Sequence, residues 1–413
     1  WPVSERPCER LLAFGAERLS DAELLAVVLR SGVRGKSAMD VARGLLCRFG
    51  SISAIVAAER STLCDAEGLG AARYCQLRAM VELMRRALRE DMARRNFLGS
   101  PAAEIVRHLV RMNDGKRHCP FKQAVSAALA SIDAVHSTQQ SVKWARFLLD
   151  EGGSKRLSRF AFDLPVYVVG SLLGVPEDML RQTALWVNDF ARCVAPASNP
   201  DQVERGKMAA GHLLEMFRAL LGHEDGLLSA LAQEAKRIGR EETDAIVANG
   251  VGFLSQAYEA TAGLIGNTLI ALAFRPDVCD QVGADPGLLR SVIQEVLRYD
   301  SPVQNTRRFL AEDGFVAGEK MKAGDAILVI LAAANHDPSV NPNPERFDIF
   351  RKDRRIFTFG VGAHACPGEA LATTIAKAGV ERLIASGVAL RRLAETMTYR
   401  ASANARIPVF GED

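Results

Sequence analysis

The sequence lacks three patterns that would place it in a specialised class of protein. Its longest apolar run, residues 326–334, is far shorter than the roughly 20 residues of a membrane-spanning helix, and residues 1–6 show no secretory signal architecture. Its eight cysteines include no C-x-x-C pair, which argues against a disulfide framework or a zinc site. The net charge of +3 demands no polyanionic partner. We therefore expect a cytoplasmic protein with no membrane association.

The length and the apolar content allow more than one folded domain. A chain of 413 residues with 48% hydrophobic residues has ample material for a core. Composition and motifs change near residue 95, so we predict a small helical module over residues 1–95 and a larger domain over residues 96–413. Strand signals in the larger domain are few, the best being residues 315–318 and 326–330, which predicts a mainly α fold with small β-sheets.

The most informative stretch is FGVGAHACPG, residues 359–368, which is followed by a helix-forming segment. Backbone N–H groups at the helix start, such as that of Gly368, would point at the sulfur of Cys366 and favour its thiolate. Gly360 and Gly362 would let the loop approach a flat partner closely. A thiolate held in this way suits a haem iron.

These residues resemble the haem-binding loop of the cytochrome P450 family, whose pattern is F-G-x-G-x-H-x-C-x-G, and the resemblance extends over residues 96–413. It implies a P450-like helical fold and a haem b cofactor with Cys366 as the metal ligand. Phe359, Gly360 and Gly368 would contact the haem, and His364 would contact a propionate. The implied activity is oxidation of a hydrophobic small molecule with O2. No flavin or ferredoxin segment is present, so the electron donor would be a separate ferredoxin-type protein.

Further cations match family positions that contact the haem propionates. Arg308 follows the segment 302–304, and His118 and Lys122 share one helical face four residues apart. A lysine replaces the family's arginine at position 122, which keeps the charge and loses the bidentate geometry.

A buried ion network is implied below the haem loop. Glu295 and Arg298 are three apart on a predicted helix and share a face. In the family, such a pair joins a later arginine, which the resemblance places in the segment 344–347 at Arg346.

The helix predicted over residues 244–272 departs from the family pattern A/G-G-x-D/E-T. The acid is kept as Glu259, but the usual threonine is Ala260, and Gln256 is bulkier than its usual counterpart. Proton delivery needs a positioned hydroxyl or a water relay. Three alternatives stay open: a substrate hydroxyl, Thr261 with an altered water chain, or an enzyme that uses peroxide or performs another haem reaction.

The first 95 residues carry a different set of signals. Ser20 and Glu23 form a capping box whose helix Gly32 would end, and Ser37 opens a helix that ends near Gly50. The segment 68–70 has the Gly-hydrophobic-Gly pattern of a helix-hairpin-helix turn, whose N–H groups can hold a DNA phosphate.

Residues 1–92 resemble the N-terminal region of the bacterial RadC family. With 16 Lys/Arg and 12 Asp/Glu over residues 1–95, the basic bias is mild, so we do not expect DNA to be the main partner. The alternative to an oxygenase is a DNA-associated haem-binding sensor. The module stands where the P450 family has its N-terminal strands, so the haem domain is expected to lack them.

Overall fold

A computed structural model describes the chain from residue 6 to residue 411, apart from residues 16–17, 34, 67, 95–99, 113–114, 154–156, 196–197, 224 and 317. The chain divides into two compact units, Trp1–Phe97 and Leu98–Asp413, which we call the front unit and the rear unit. Each unit is described by itself.

The named secondary-structure elements of the front unit, within its described residues, are all helices. Its helices are α1 (Pro7–Phe14), α2 (Asp21–Leu29), α3 (Ala38–Phe49), α4 (Ile52–Ala57), α5 (Arg60–Cys64) and α6 (Ala71–Arg94). The capping box predicted at Ser20 is closed, and the helix predicted to open at Ser37 also starts with a closed capping box. The predicted end of α3 at Gly50 is confirmed by a left-handed cap with φ +80°. Helix α2 ends earlier than Gly32, because Arg30 already leaves the helix with φ +63°.

The front unit buries a small apolar core between α2, α3 and the shorter helices. Leu29, Leu45, Ile55, Leu63 and Leu69 are each no more than 3% exposed. The core includes Leu63 of α5 and Leu69 of the turn between α5 and α6.

The rear unit is mostly helical and carries three small antiparallel sheets. Its helices are α7 (Pro101–His108), α8 (Gly115–Ala130), α9 (Ala134–Leu148), α10 (Leu157–Leu173), α11 (Leu180–Cys193), α12 (Pro200–Leu220), α13 (Leu227–Arg237), α14 (Thr243–Ala273), α15 (Pro276–Ala284), α16 (Leu289–Tyr299), α17 (Leu331–Asn335), α18 (Glu369–Ala385) and α19 (Leu390–Thr396). Its strands are β1 (Asn305–Phe309), β2 (Gly314–Val316), β3 (Glu319–Met321), β4 (Ala326–Ile330), β5 (Thr398–Tyr399) and β6 (Pro408–Val409). The predicted mainly α fold with small sheets is confirmed.

The sheets pair β1 with β4, β2 with β3, and β5 with β6. The predicted strand 326–330 is confirmed as β4, whereas β2 ends at Val316 and Ala317 lies outside the described residues. Within the described chain, β4 has a strand partner on one side only, and its Leu328 and Ile330 are 51% and 44% exposed.

Helix α14 is the central element of the rear unit and confirms the helix predicted over residues 244–272. It packs against α7, α10, α12 and α18, and most of its residues are buried because they face these neighbours. Across the described residues, no single helix combines the length and the apolar character of a membrane span. The pair α14 and α15 reaches that composition only across a bend of 104°.

Candidate functional site

The loop before α18 presents the sulfur of Cys366. Gly360 and Gly362 adopt φ +69° and +70°, a backbone conformation that side chains with a Cβ rarely tolerate. The loop is closed by a hydrogen bond of 2.8 Å from the N–H of Cys366 to the carbonyl of Phe359. The N–H of Gly368 then donates to the sulfur of Cys366 at 3.4 Å. The chain therefore places a backbone donor on the thiol, as the sequence predicts.

The thiol of Cys366 has exposed surface, yet it is surrounded by protein on most sides. Both facts describe a sulfur in a concave part of the surface. Burial raises the pKa of the Cys366 thiol, while the Gly368 N–H and the charge of Lys122 act to lower it. A metal cation at the sulfur would reverse the effect of burial, because a coordinated thiol is deprotonated.

Lys122 contacts the same loop from helix α8. Its ammonium group donates to the carbonyl oxygen of Ala365 at 2.6 Å. Burial lowers the pKa of Lys122, and the neighbouring Cys366 raises it. The side chain of His118, predicted to share this face, lies outside the described residues.

The other two predicted propionate contacts lie on separate elements. Arg308 lies on β1 and donates to the hydroxyl of Thr306 at 2.9 Å and to the carbonyl of Arg307 at 2.8 Å. His364 ends the single helical turn of the Cys366 loop and is half-buried. His364 is therefore only two residues before Cys366 in the loop. The guanidinium of Arg308, in contrast, forms hydrogen bonds with residues of its own strand.

Helix α14 has one accessible stretch in an otherwise buried span. Between Ile246 and Leu272, every residue is buried except six, which we call the α14 window: Phe253, Ser255, Gln256, Ala257, Glu259 and Ala260. This stretch coincides with the segment that the sequence singled out as departing from the family pattern.

The predicted proton-handling residues in and beside the α14 window have different surroundings. The carboxylate of Glu259 pairs with Arg400 at 3.2 Å, and the guanidinium of Arg400 lies 5.2 Å from the ring centroid of Phe162. Ala260 is accessible but offers no hydroxyl. Thr261 is only 1% exposed, and its hydroxyl has no hydrogen-bond partner. Sequence reasoning missed Arg400 because no local motif links it to Glu259.

A buried ion network lies between α16 and the chain that leads to the Cys366 loop. Glu295 and Arg298 are both fully buried and pair at 2.7 Å. Arg354 pairs with the same carboxylate at 2.9 Å, and Arg351 at 3.6 Å. The expectation that Arg346 joins the network is wrong. Its side chain is 75% exposed and lies 3.8 Å from the carboxylate of Asp348, and its contact with Arg298 is made by its backbone carbonyl, which accepts a hydrogen bond at 3.1 Å.

The predicted hairpin turn of the front unit is stabilised by contacts inside the unit. Leu69 is 1% exposed and packs into the core. Arg73 donates to the carbonyl of Gly68 and, at 2.8 Å, to that of Gly32. The side chains of the arginines between residues 85 and 95 lie outside the described residues. Internal contacts of Arg73 and Leu69 therefore account for the conformation of this turn.

The residues around Cys366 fit a haem iron better than another metal centre. A soft sulfur ligand with exposed surface and a backbone N–H donor matches thiolate ligation. Gly362 leaves the space beside the loop open, since a Cβ built there meets no atom within 4 Å. The rear unit is thus a helical protein with a cysteine loop at the start of one helix and an accessible stretch in the middle of its longest buried helix.

Comparison with known proteins assigns this architecture. Residues 221–386 match the family model of cytochrome P450, and residues 1–75 match the UPF0758 N-terminal model. The 6-deoxyerythronolide B hydroxylase of Saccharopolyspora erythraea is 32% identical over 292 residues, which cover 67% of this chain and 70% of that protein. The chain belongs to the cytochrome P450 family, and membership implies a haem cofactor.

Two further proteins define the extent of the likeness. The vitamin D(3) 25-hydroxylase of Pseudonocardia autotrophica is 34% identical over 264 residues, 61% of this chain, and the chain spans 63% of that relative's length. The ligand-free structure of cytochrome P450 TbtJ1 is 27% identical with a TM-score of 0.64, covering 75% of this chain and 86% of that one.

Proposed function

We propose that the chain is a haem-thiolate monooxygenase that oxidises a hydrophobic small molecule with O2 and electrons from a separate ferredoxin-type donor. The observation that carries the proposal is the accessible Cys366 thiol with the Gly368 N–H donating to it at the start of α18. When bound, haem b supplies the redox chemistry of O2 activation.

Different residues of the chain are assigned to the iron, the ring and the propionates of the haem. Cys366 would ligate the iron, and Phe359, Gly360 and Gly368 would form the part of the loop that contacts the haem. Lys122, which already contacts the loop carbonyl of Ala365, supplies a positive charge. His118, Arg308 and His364 are the remaining cations that we assign to the propionates.

Proton handling is atypical in this proposal. Glu259 holds a carboxylate at the edge of the α14 window, where the ion pair with Arg400 orients it. Because Ala260 has no hydroxyl and the Thr261 hydroxyl is buried, we favour a substrate hydroxyl as the group that completes the proton path. The alternative within the same site is that the enzyme uses peroxide in place of O2. Such an enzyme would not need a path that delivers protons to reduced O2.

The proposal also covers the front unit and the location of the chain. We place the boundary between the two domains near residue 95 and the protein in the cytoplasm. The front unit is a helix-hairpin-helix module whose Gly68–Gly70 turn is stabilised by Arg73. We treat DNA as a secondary partner at most, because the guanidinium of Arg73 already donates to the carbonyls at this turn.

The test is the absorbance of the reduced, CO-bound full chain after loading with haem. Wild type is expected to show the red-shifted Soret band of a thiolate-ligated haem, and Cys366→Ser is expected to lose it because a serine hydroxyl is a poor thiolate substitute. Cys47→Ser, which alters an exposed cysteine of the front unit, is the matched control and should keep the band. A wild-type spectrum without this band, or a band that survives in Cys366→Ser, sinks the proposal.

A further inference from the structure

We propose that Gln256 is a specificity-determining residue that selects ligands carrying a hydrogen-bond donor, a hydroxyl or an N–H, at the α14 window. This inference deepens the proposed function and rests on it. It is argued from the side chain's exposure, the direction of its amide and the occupation of its polar neighbours.

Gln256 is the most accessible residue of the α14 window. It is exposed, whereas the other five window residues are only partly accessible and the flanking turns of the helix are buried. A polar side chain that long in the middle of a buried helix is available to whatever enters the window. Position 256 therefore offers the ligand a side-chain amide.

The direction of the amide is fixed by the helix itself. The nitrogen of the Gln256 side chain donates to the carbonyl of Gly252 at 3.0 Å. Because that carbonyl can only accept, the nitrogen must face it and the oxygen Oε1 must face away. No described residue donates to this oxygen. The oxygen Oε1 is consequently a free acceptor at the window, which pairs with a donor on the ligand.

The segment around Leu109 lies beside Gln256 and restricts this arrangement. A Cβ at position 252 would lie 2.6 Å from the Leu109 side chain and 3.1 Å from the Gln256 nitrogen, so glycine leaves both groups in place where a larger residue would displace them. The segment around Leu109 is fastened to α14 by Asn249, which accepts from the N–H of Val110 at 3.0 Å and donates to the carbonyl of His108 at 2.8 Å. Gln256 thus lies beside a fixed wall.

The two other polar side chains of the α14 window are already engaged. Glu259 pairs with Arg400 at 3.2 Å, and the hydroxyl of Ser255 lies 3.4 Å from the carbonyl of Gly252. Ala260 lies one helical turn after Gln256, so the two side chains are neighbours, about 5–6 Å apart. A hydroxyl held by Gln256 would therefore lie next to Ala260, where the proposed function requires one.

The experiment measures a ligand preference by isothermal titration calorimetry on the haem-loaded full chain. The probes are decanol and adamantanol, each beside its methyl ether, which keeps the oxygen and removes the donor. Wild type is expected to bind the alcohol of at least one scaffold about 2- to 12-fold more tightly than the ether, as one net hydrogen bond provides. In Gln256→Met, which keeps the side-chain length and removes the acceptor, the ratio is expected to fall to about 1.

Two further variants make the result specific. Gln256→Glu keeps an acceptor oxygen and is expected to keep the alcohol preference. Gln233→Met is the matched control, because Gln233 is an exposed glutamine on α13 that also donates to a residue four positions earlier, Ser229, at 3.2 Å. It should leave the preference unchanged.

The inference is overturned by equal affinities, or no binding, for alcohol and ether on both scaffolds in wild type. It is also overturned by a preference that survives in Gln256→Met, or by one that is lost in Gln233→Met or Gln256→Glu as well. Calorimetry does not depend on the CO-bound spectrum, so failure of the haem-thiolate proposal would appear there and failure of this inference would appear here.

Discussion

The first long helices of the front unit and the most buried helices of the rear unit begin in different ways. In the front unit, α2 and α3 start with closed capping boxes, in which Ser20 and Ser37 exchange hydrogen bonds with an acid three residues later. In the rear unit, the helices α14, α16 and α18 start without a side-chain cap. These helices are held by burial and by contacts between residues far apart in sequence. Side-chain caps therefore secure α2 and α3, as they also secure α7, α9 and α12 of the rear unit, whereas α14, α16 and α18 rely on long-range packing.

The absence of a side-chain cap at the start of α18 bears on the proposed site. The residue before this helix is Gly368, which has no side chain to satisfy the first N–H groups. The N–H of Gly368 points instead at the sulfur of Cys366. A serine or aspartate cap there would bind N–H groups two or three residues further along the helix and would place its Cβ 3.8 Å from the sulfur.

The largest expected effect that separates the two units comes from Glu295→Gln. Removing this carboxylate leaves Arg298 and Arg354 buried without their counter-charge, which typically costs about 3–5 kcal/mol of unfolding free energy. We expect the rear unit alone to be destabilised. Denaturant-dependent hydrogen exchange, resolved by peptide, measures each unit separately in the full chain.

The matched control for that variant is Glu345→Gln. Glu345 is 81% exposed and pairs with His336 at 3.1 Å, and exposed pairs contribute roughly 0–1 kcal/mol. A loss for Glu345→Gln as large as that for Glu295→Gln, or a loss that spreads to α2 and α3, would contradict the assignment of rear-unit stability to the buried network.

A somewhat smaller effect, confined to the front unit, is expected for Leu45→Ala. Leu45 is 2% exposed in the core, and truncation of a buried leucine to alanine costs about 2–5 kcal/mol. Amides of α2 and α3 should lose protection from exchange while those of α14 keep theirs. Leu12→Ala, at a leucine that is 88% exposed, should change neither. Equal loss of protection in α14 would show that the two units unfold as one.

The smallest effect is a pH dependence of opposite sign in the two units. Hydrogen bonds from Ser20 lower the pKa of Glu23 below its ordinary value of 4.5. The carboxylate of Glu23 therefore stabilises the folded state above pH 4.5, and this stabilisation is lost as the pH falls through the lowered pKa. Burial raises the pKa of Asp163 above 3.8, although Arg159 acts to lower it. The protonated carboxyl of Asp163 therefore favours the folded state below pH 3.8, and this stabilisation is lost as the pH rises through the raised pKa.

The variants Glu23→Gln and Asp163→Asn check these signs. Between pH 7 and pH 3, the stability advantage of wild type over Glu23→Gln should shrink, while that of wild type over Asp163→Asn should grow. Urea denaturation at a series of pH values, followed by exchange in α2 and α10, measures both. Two differences that move in the same direction would contradict the contrast.

The same contrast explains which features could be predicted from the sequence. The caps at Ser20 and Ser37 and the loop of Cys366 are written in contiguous residues, so their chemistry could be anticipated from spacing alone. The partner of Glu259 could not, because Arg400 reaches it only once α14 and β5 are folded together. For the same reason the network arginine was misplaced at Arg346, since the direction of a side chain in that loop depends on tertiary packing.

The open side of β4 has a consequence for handling the protein in solution. Residues 326–330 form an uncharged strand, AILVI, with a strand partner on one side within the described chain and with exposed aliphatic side chains. Such an edge is a template for intermolecular β-pairing. We expect colloidal stability to decrease with rising protein concentration and salt, and a lysine at Val329 to counter that loss more effectively than one at a helix surface.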